Sequence, residues 1–179
     1  MDVFFFLFMF TIIAPYVFYA WVYMFPKQFL RVGKPVLFKI VGYGFKPLQF
    51  FFAFLCTKTT GVSWNSLCFG LILIFLGQLL NMSFNSRLGQ SRVYYGVELG
   101  VEEFKLYTGF PFDIGHSQYK GCILCILGFL LAFKPSKLLI QGSIVWIVCY
   151  LLLSIVESYP YGLLENKLTN NSENKSKTH

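Results

Sequence analysis

The chain has 179 residues, of which 56% are hydrophobic and only 13% charged, and a formal net charge of +7. Soluble domains carry about 25% charged residues, so a water-covered globular surface is excluded and an integral membrane protein with one compact domain is expected. The basic residues sit in loops between apolar runs and in the tail, which fits topology signals and anionic headgroups and excludes a nucleic-acid partner.

Residues 3–25 form 23 residues without a charge, enough to cross about 30 Å of hydrocarbon as a helix. A signal peptide does not fit. The run follows Met-Asp instead of basic residues, its apolar core is too long, and no small-residue cleavage site follows. Pro15 predicts a kink. Next comes a basic stretch with Lys27, Arg31, Lys34, Lys39 and Lys46. Residues 47–56 read as membrane-embedded, whereas 36–46 either begin the same helix or lie along the interface. The third span covers about 64–84, its apolar surface interrupted by Gly77, Gln78 and Asn81.

Residues 85–120 are polar and mixed in charge. Two apolar segments follow, 121–133 and 138–156, separated by Lys134-Pro135-Ser136-Lys137. The first is short and makes a tilted helix with 116–120 as its lead-in; the second is a clear span. The expected fold is therefore an all-α integral membrane bundle of about four to five transmembrane or membrane-embedded helices over 1–162. Residues 163–179 read as a disordered polar tail. Cys122 and Cys125 form a C-x-x-C inside GCILCILGFLL. With no second pair and no histidine at ligand spacing, they read as helix-packing residues and not as a metal or redox site.

Five basic residues lie in 26–46 against one in 57–63. The positive-inside bias sets the former on the cytoplasmic side and the latter on the lumenal side. Residues 85–120 and the tail then share the cytoplasmic side, so His116 and Glu157 fall in one headgroup layer.

Polar groups in an apolar setting cost free energy unless something is gained by placing them. Three islands stand out: Gly89 to Glu98, Gly109 to Gly121, and Glu157-Ser158-Tyr159-Pro160. In the second, Phe110-Pro111-Phe112 reads as extended and rigid, Asp113-Ile114-Gly115 as a turn, and His116 and Tyr119 share a helix face at i, i+3. Taken singly, the islands read as a solvated loop, an interfacial anchor and a water boundary. Those readings do not explain why all three share one side.

YYGVELG, GFPFDIGHSQYKG and VESYP, in this order and spacing, resemble the phospholipid N-methyltransferase family. The likeness runs from about Gly77 to Pro160. It implies methylation of phosphatidylethanolamine, or its mono- and dimethyl forms, towards phosphatidylcholine in the endoplasmic reticulum, with S-adenosylmethionine as cofactor and a bilayer phospholipid as substrate. The family's G-x-G cofactor motif falls on Phe75-Leu76-Gly77, where only the second glycine is kept. Its acidic pair falls on Glu157-Ser158, where only the first acid is kept. The resemblance implies a cofactor-binding set of Phe75, Leu76, Gly77, Tyr95, Gly96, Tyr119, Gly121, Glu157 and Ser158. Related isoprenylcysteine-type membrane methyltransferases, and a non-catalytic membrane protein, remain as alternatives.

The chemistry requires no metal. An in-line displacement at an electrophilic methyl needs the amine positioned, water excluded and a proton accepted. His116 is the first candidate base and Glu157 the second. A carboxylate at Glu157 can also accept from ribose hydroxyls or an amino group, and Gly77 would let the cofactor approach a helix backbone. Tyr94, Tyr95 and Tyr119 offer faces to cationic centres, and Arg92, Lys105 or Lys120 can hold a lipid phosphate.

Overall fold

A computed structural model describes residues 3–58, 62–103 and 107–158. The chain forms an all-α membrane bundle. Its helices are α1 (Val3–Met24), α2 (Pro26–Val32), α3 (Pro35–Leu55), α4 (Trp64–Leu88), α5 (Gln90–Val93), α6 (Ser117–Ala132) and α7 (Lys137–Ser158), with a 3-10 turn at Phe112–Ile114. The expected tail at 163–179, with Tyr159, Pro160 and Lys105, lies outside the described residues.

Helices α1, α4 and α7 are long and apolar enough to cross a membrane, and α6 is a shorter apolar helix. Pro26 and Pro35 open α2 and α3 in the first turn, where the missing N–H has no partner to lose. Ser63 caps α4, its Oγ accepting from Ser66 N at 3.1 Å. Of the two readings of 36–46, the structure adopts the continuous one: α3 runs unbroken from Pro35 through Lys46 and Pro47 to Leu55. Phe110-Pro111-Phe112 departs from the extended expectation. The Phe110–Pro111 peptide is cis, and the segment closes into the 3-10 turn, with Phe112 N–H bonding Gly109 O at 2.8 Å and Gly109 N–H bonding Asp113 Oδ1 at 3.0 Å. The turn thus satisfies its own polar backbone.

Helix α4 packs chiefly on α6, and α1 on α7 and α3. The α4–α6 contact is backbone against backbone. A Cβ on Gly70 would lie 2.5 Å from Gly128 O, and one on Gly77 2.5 Å from Gly121 O. Two glycine pairs, spaced two helical turns apart, permit this approach, the usual device where lipid supplies no hydrophobic drive. The core between α1, α6 and α7 holds Phe8, Ile12, Tyr16, Ile126, Trp146 and Tyr150. Outward side chains such as Phe69, Ile72 and Leu152 are large, apolar and exposed, as a hydrocarbon surround demands. Buried Gln49 ties α3 to α1, its Nε2 donating to Thr11 O at 2.9 Å.

The helices alternate in direction. At one end, β1 (Thr57–Lys58) pairs antiparallel with β2 (Lys134–Pro135), and Ser136 N–H reaches Cys56 O at 3.4 Å. At the other, the C-terminal ends of α1, α4 and α7 meet the N-terminal ends of α3 and α6. The second end gathers the first two polar islands and Glu157-Ser158 of the third.

Candidate active site

Glu157 lies in the last turn of α7. Its Oε1 accepts hydrogen bonds from both Tyr95 Oη and Tyr119 Oη, and its main-chain carbonyl accepts from Tyr23 Oη at 3.0 Å. Tyr95 is wedged between aromatic faces, stacked on Phe38 at 5.1 Å and tilted against Tyr23 at 5.3 Å. These contacts draw α1, α3, α6, α7 and the loop after α5 onto one carboxylate.

The backbone makes concessions here. Tyr95 and His116 are the two described non-glycine residues with positive φ, at 56° and 44°. A left-handed conformation costs an L-residue about 1–2 kcal/mol, and both side chains face the same cavity. The Tyr95 loop is held by Gly96, whose N–H bonds Ser91 O at 2.9 Å. A Cβ there would lie 2.7 Å from that oxygen.

His116 immediately precedes α6, its ring parallel to that of Tyr119 at 6.0 Å. Its Nε2 lies 3.1 Å from Ser158 Oγ. The single Ser158 hydroxyl proton is donated to Ser154 O at 2.8 Å, so Nε2–H donates to Ser158 and Nδ1 keeps the lone pair. Burial, then the Lys120 ammonium, pushes the imidazole below its ordinary value of 6.5. At neutral pH the ring is therefore a neutral proton acceptor.

The cavity has a volume of about 200 Å³ and is lined by Arg92, Tyr95, Glu98, His116, Tyr119 and Glu157, among others. Burial pushes the Glu98 carboxyl up, against the pull of the Arg92 guanidinium. Burial, followed by the Glu157 carboxylate, holds the Tyr95 phenol well above its usual range, so it stays a donor. Two carboxyl groups, a neutral imidazole and two phenols thus converge near one end of the bundle.

The structure therefore brings together Tyr95, His116, Tyr119, Glu157 and Ser158, with Gly96 shaping the loop. It does not bring Phe75, Leu76, Gly77 or Gly121 to this cavity. Phe75 and Leu76 are 63% and 46% exposed on α4, and the bare face of Gly77 is filled by the Gly121 carbonyl and Cys125. Tyr94 lines an adjoining cavity of about 90 Å³ with Tyr95 and Tyr119. The Arg92 guanidinium stacks 4.8 Å over Tyr107, and Lys120 turns its ammonium to Ile114 O. Glu98 and Tyr23 were not singled out from sequence. Glu98 stands inside the YYGVELG motif, which offered the signal; Tyr23 offered none beyond being an aromatic near the end of a span.

The phospholipid methyltransferase family model matches residues 65–160, from the start of α4 past the end of α7. The chain is 34% identical over 91 residues to the phosphatidyl-N-methylethanolamine N-methyltransferase of Saccharomyces cerevisiae, a match covering 50% of this chain and 43% of the yeast enzyme. The chain thus matches less than half the length of that relative. No solved structure matches. With just over half its length matched, and with Tyr95, Glu98, His116 and Glu157 all inside the matched region, the chain belongs to the phospholipid methyltransferase family.

Proposed function

We propose that this protein methylates the amine headgroup of phosphatidylethanolamine, its mono- or dimethyl derivatives, or several of these, towards phosphatidylcholine, using S-adenosylmethionine. The observation that carries the reading is the cavity near the membrane boundary, where Glu98, Glu157 and neutral His116 meet two phenols. The donor set suits the cofactor. Carboxylates and aromatic faces favour a sulfonium, and carboxylate oxygens accept from ribose hydroxyls and an amino group. Glu98 supplies the second acid that Ser158 does not.

S-adenosylmethionine supplies, when bound, a methyl group made electrophilic by its sulfonium. The protein's work is positioning and proton transfer. Glu157 and Glu98 attract the cationic amine to the cavity, and Tyr95 and Tyr119 hold Glu157 Oε1 in place. His116 Nδ1 accepts the proton that the ammonium must lose before its nitrogen has a lone pair to donate. The last methylation leaves a quaternary nitrogen with no proton to remove, and the aromatic faces suit it. The bundle wall shields the site from water on its inner side.

The same reading sets the site and the C-terminus on the cytoplasmic face of the endoplasmic reticulum, supported by the charge bias of 26–46. Membranes containing the full chain, given labelled S-adenosylmethionine and each of the three lipids separately, are expected to label at least one. Absence of label in all three, with inserted protein present, refutes the reading.

A further inference from the structure

Helix α3 packs chiefly on α1, and α4 chiefly on α6. Between α3 and α4 lies a cavity of about 230 Å³, bounded by Lys46 and Phe50 of α3, Gln78, Asn81 and Asn85 of α4, and Gln118 of α6. Phe50 is 45% exposed, so the mouth of this cleft adjoins hydrocarbon. Lys46 and Gln118 also line the smaller cavity beside Tyr94, and Gln118 lines the one at Glu157. The three spaces are neighbours.

Lys46 is a cation within an apolar bundle. Its ammonium donates to Tyr150 Oη at 2.6 Å and to Tyr16 Oη at 3.3 Å. It lies 5.0, 5.4 and 5.8 Å from the ring centroids of Tyr150, Tyr16 and Trp146. These groups are neutral. Among the described residues Lys46 makes no ion pair, and two of its three N–H donors are used. An intramembrane ammonium without counter-charge is costly and marks a function. The surrounding amides of Gln78, Asn81 and Gln118 add hydrogen-bonding capacity without a competing negative charge.

Depth indicates what it binds. Tyr150, which holds the ammonium, precedes Glu157 by two helical turns on α7, about 10 Å deeper in the bundle. Tyr119 joins the two levels, with its hydroxyl on Glu157 and its ring 5.6 Å from that of Tyr150. A glycerophospholipid carries its groups in this order: amine outermost, phosphodiester beneath, acyl chains in hydrocarbon. We propose that Lys46 binds the phosphodiester of the lipid substrate, and that the α3–α4 cleft is the lateral groove through which the lipid reaches the site. The assignment rests on the amine-methylation reading for the identity of the headgroup. The anion-binding chemistry is tested independently of it.

The full chain in detergent is examined by native mass spectrometry with dioleoylphosphatidylethanolamine and with dioleoylglycerol, which lacks the phosphodiester. The expected result is that wild type and Lys46→Arg prefer the phospholipid, and that Lys46→Gln weakens its retention by about 10- to 100-fold, the range for a hydrogen bond to a charged group. Tyr150→Phe removes one tether but keeps the ammonium, and is expected to keep the preference. In methyl transfer, Lys46→Gln is expected to raise the apparent KM for lipid and leave that for cofactor unchanged. Equal phospholipid retention by wild type and Lys46→Gln overturns the proposal, as does loss of the preference in a folded Tyr150→Phe. A shift in the cofactor's KM instead assigns the ammonium to the cofactor's carboxylate and also overturns it. A wild type that retains phospholipid through Lys46 but transfers no methyl group refutes the methylation reading and supports the anion site.

Discussion

Replacing Gly77 with alanine separates a packing glycine from a cofactor-cradling one. The added Cβ would lie 2.5 Å from Gly121 O, 2.7 Å from Cys125 Sγ and 3.1 Å from Cys125 N. Two of these atoms are backbone and cannot rotate away, so α4 and α6 must part by about 1 Å to restore van der Waals contact. Overpacking of this kind costs about 1–3 kcal/mol, and each kcal/mol lowers Tm by about 2–4 °C at this chain length. Gly121 lies two residues after Tyr119, so the shift also moves the phenol that grips Glu157. A displacement of about 1 Å can lower turnover about 100-fold. Thermal unfolding in detergent and the cofactor dependence of methyl transfer are the assays. The expected outcome is a lower Tm and lower kcat with an unchanged cofactor KM. Gly44→Ala is the control: nothing lies within 4 Å of its Cβ, and in mid-helix it is expected to be neutral or stabilising by up to about 1 kcal/mol. A Gly77→Ala protein with wild-type Tm and a raised cofactor KM would refute the packing argument.

Glu157→Gln keeps an acceptor for Tyr95 and Tyr119 but removes the charge, and is expected to fold while methyl transfer falls by about 100- to 1,000-fold; full activity would remove Glu157 from the mechanism. Tyr119→Phe deletes one hydrogen bond to a carboxylate, and a loss of about 1.5–3 kcal/mol is expected in denaturant unfolding. With the His116 value held below 6.5 by burial and Lys120, the contribution of His116 to the acid limb of activity is expected to lie below pH 6.5, and Lys120→Gln should move it up. The unfolded chain binds the extra proton first as pH falls, so His116 makes stability decline from pH 6.5 down to the folded-state value and leaves it flat above; His116→Gln should remove that slope. If the tail is cytoplasmic, the sequons starting at Asn170 and Asn174 remain unmodified, which a glycosidase mobility shift would contradict.

Helices α1, α4 and α7 were legible because uncharged runs of bilayer length have one stable solution in lipid. Helix α3 was legible only in part. Lys39, Gly42, Gly44, Lys46 and Pro47 each weaken a local helix or membrane reading, and Gly42 and Lys46 fit only through distant partners. A Cβ on Gly42 would meet Tyr94 Cε1 at 2.8 Å, and Lys46 is satisfied by phenols on α1 and α7. The site residues His116, Glu157, Tyr95 and Tyr119 stand in three polar islands that the charge bias sets on one side, the same motifs that carry the resemblance, and the fold draws them together. Glu98 was not recognised because a glutamate in a polar stretch looks solvated until the loop turns it inward. The packing of Gly77 on α6 is invisible in the sequence because a glycine's neighbour does not show there, and Gly121 lies far along the chain. No periodicity links the two.

The matched region supplies the histidine and both acids, but Tyr23, which holds the Glu157 carbonyl, and Phe38, which stacks on Tyr95, come from the first third of the chain. The reactive groups and part of the wall around them are thus carried on separate stretches of one polypeptide. A graft of residues 65–160 onto a foreign membrane scaffold would inherit reactive groups without their mould. Conversely, on the proposed reading, recasting residues 3–55 would alter the α1 and α3 side of the site while His116, Glu98 and Glu157 keep their identities.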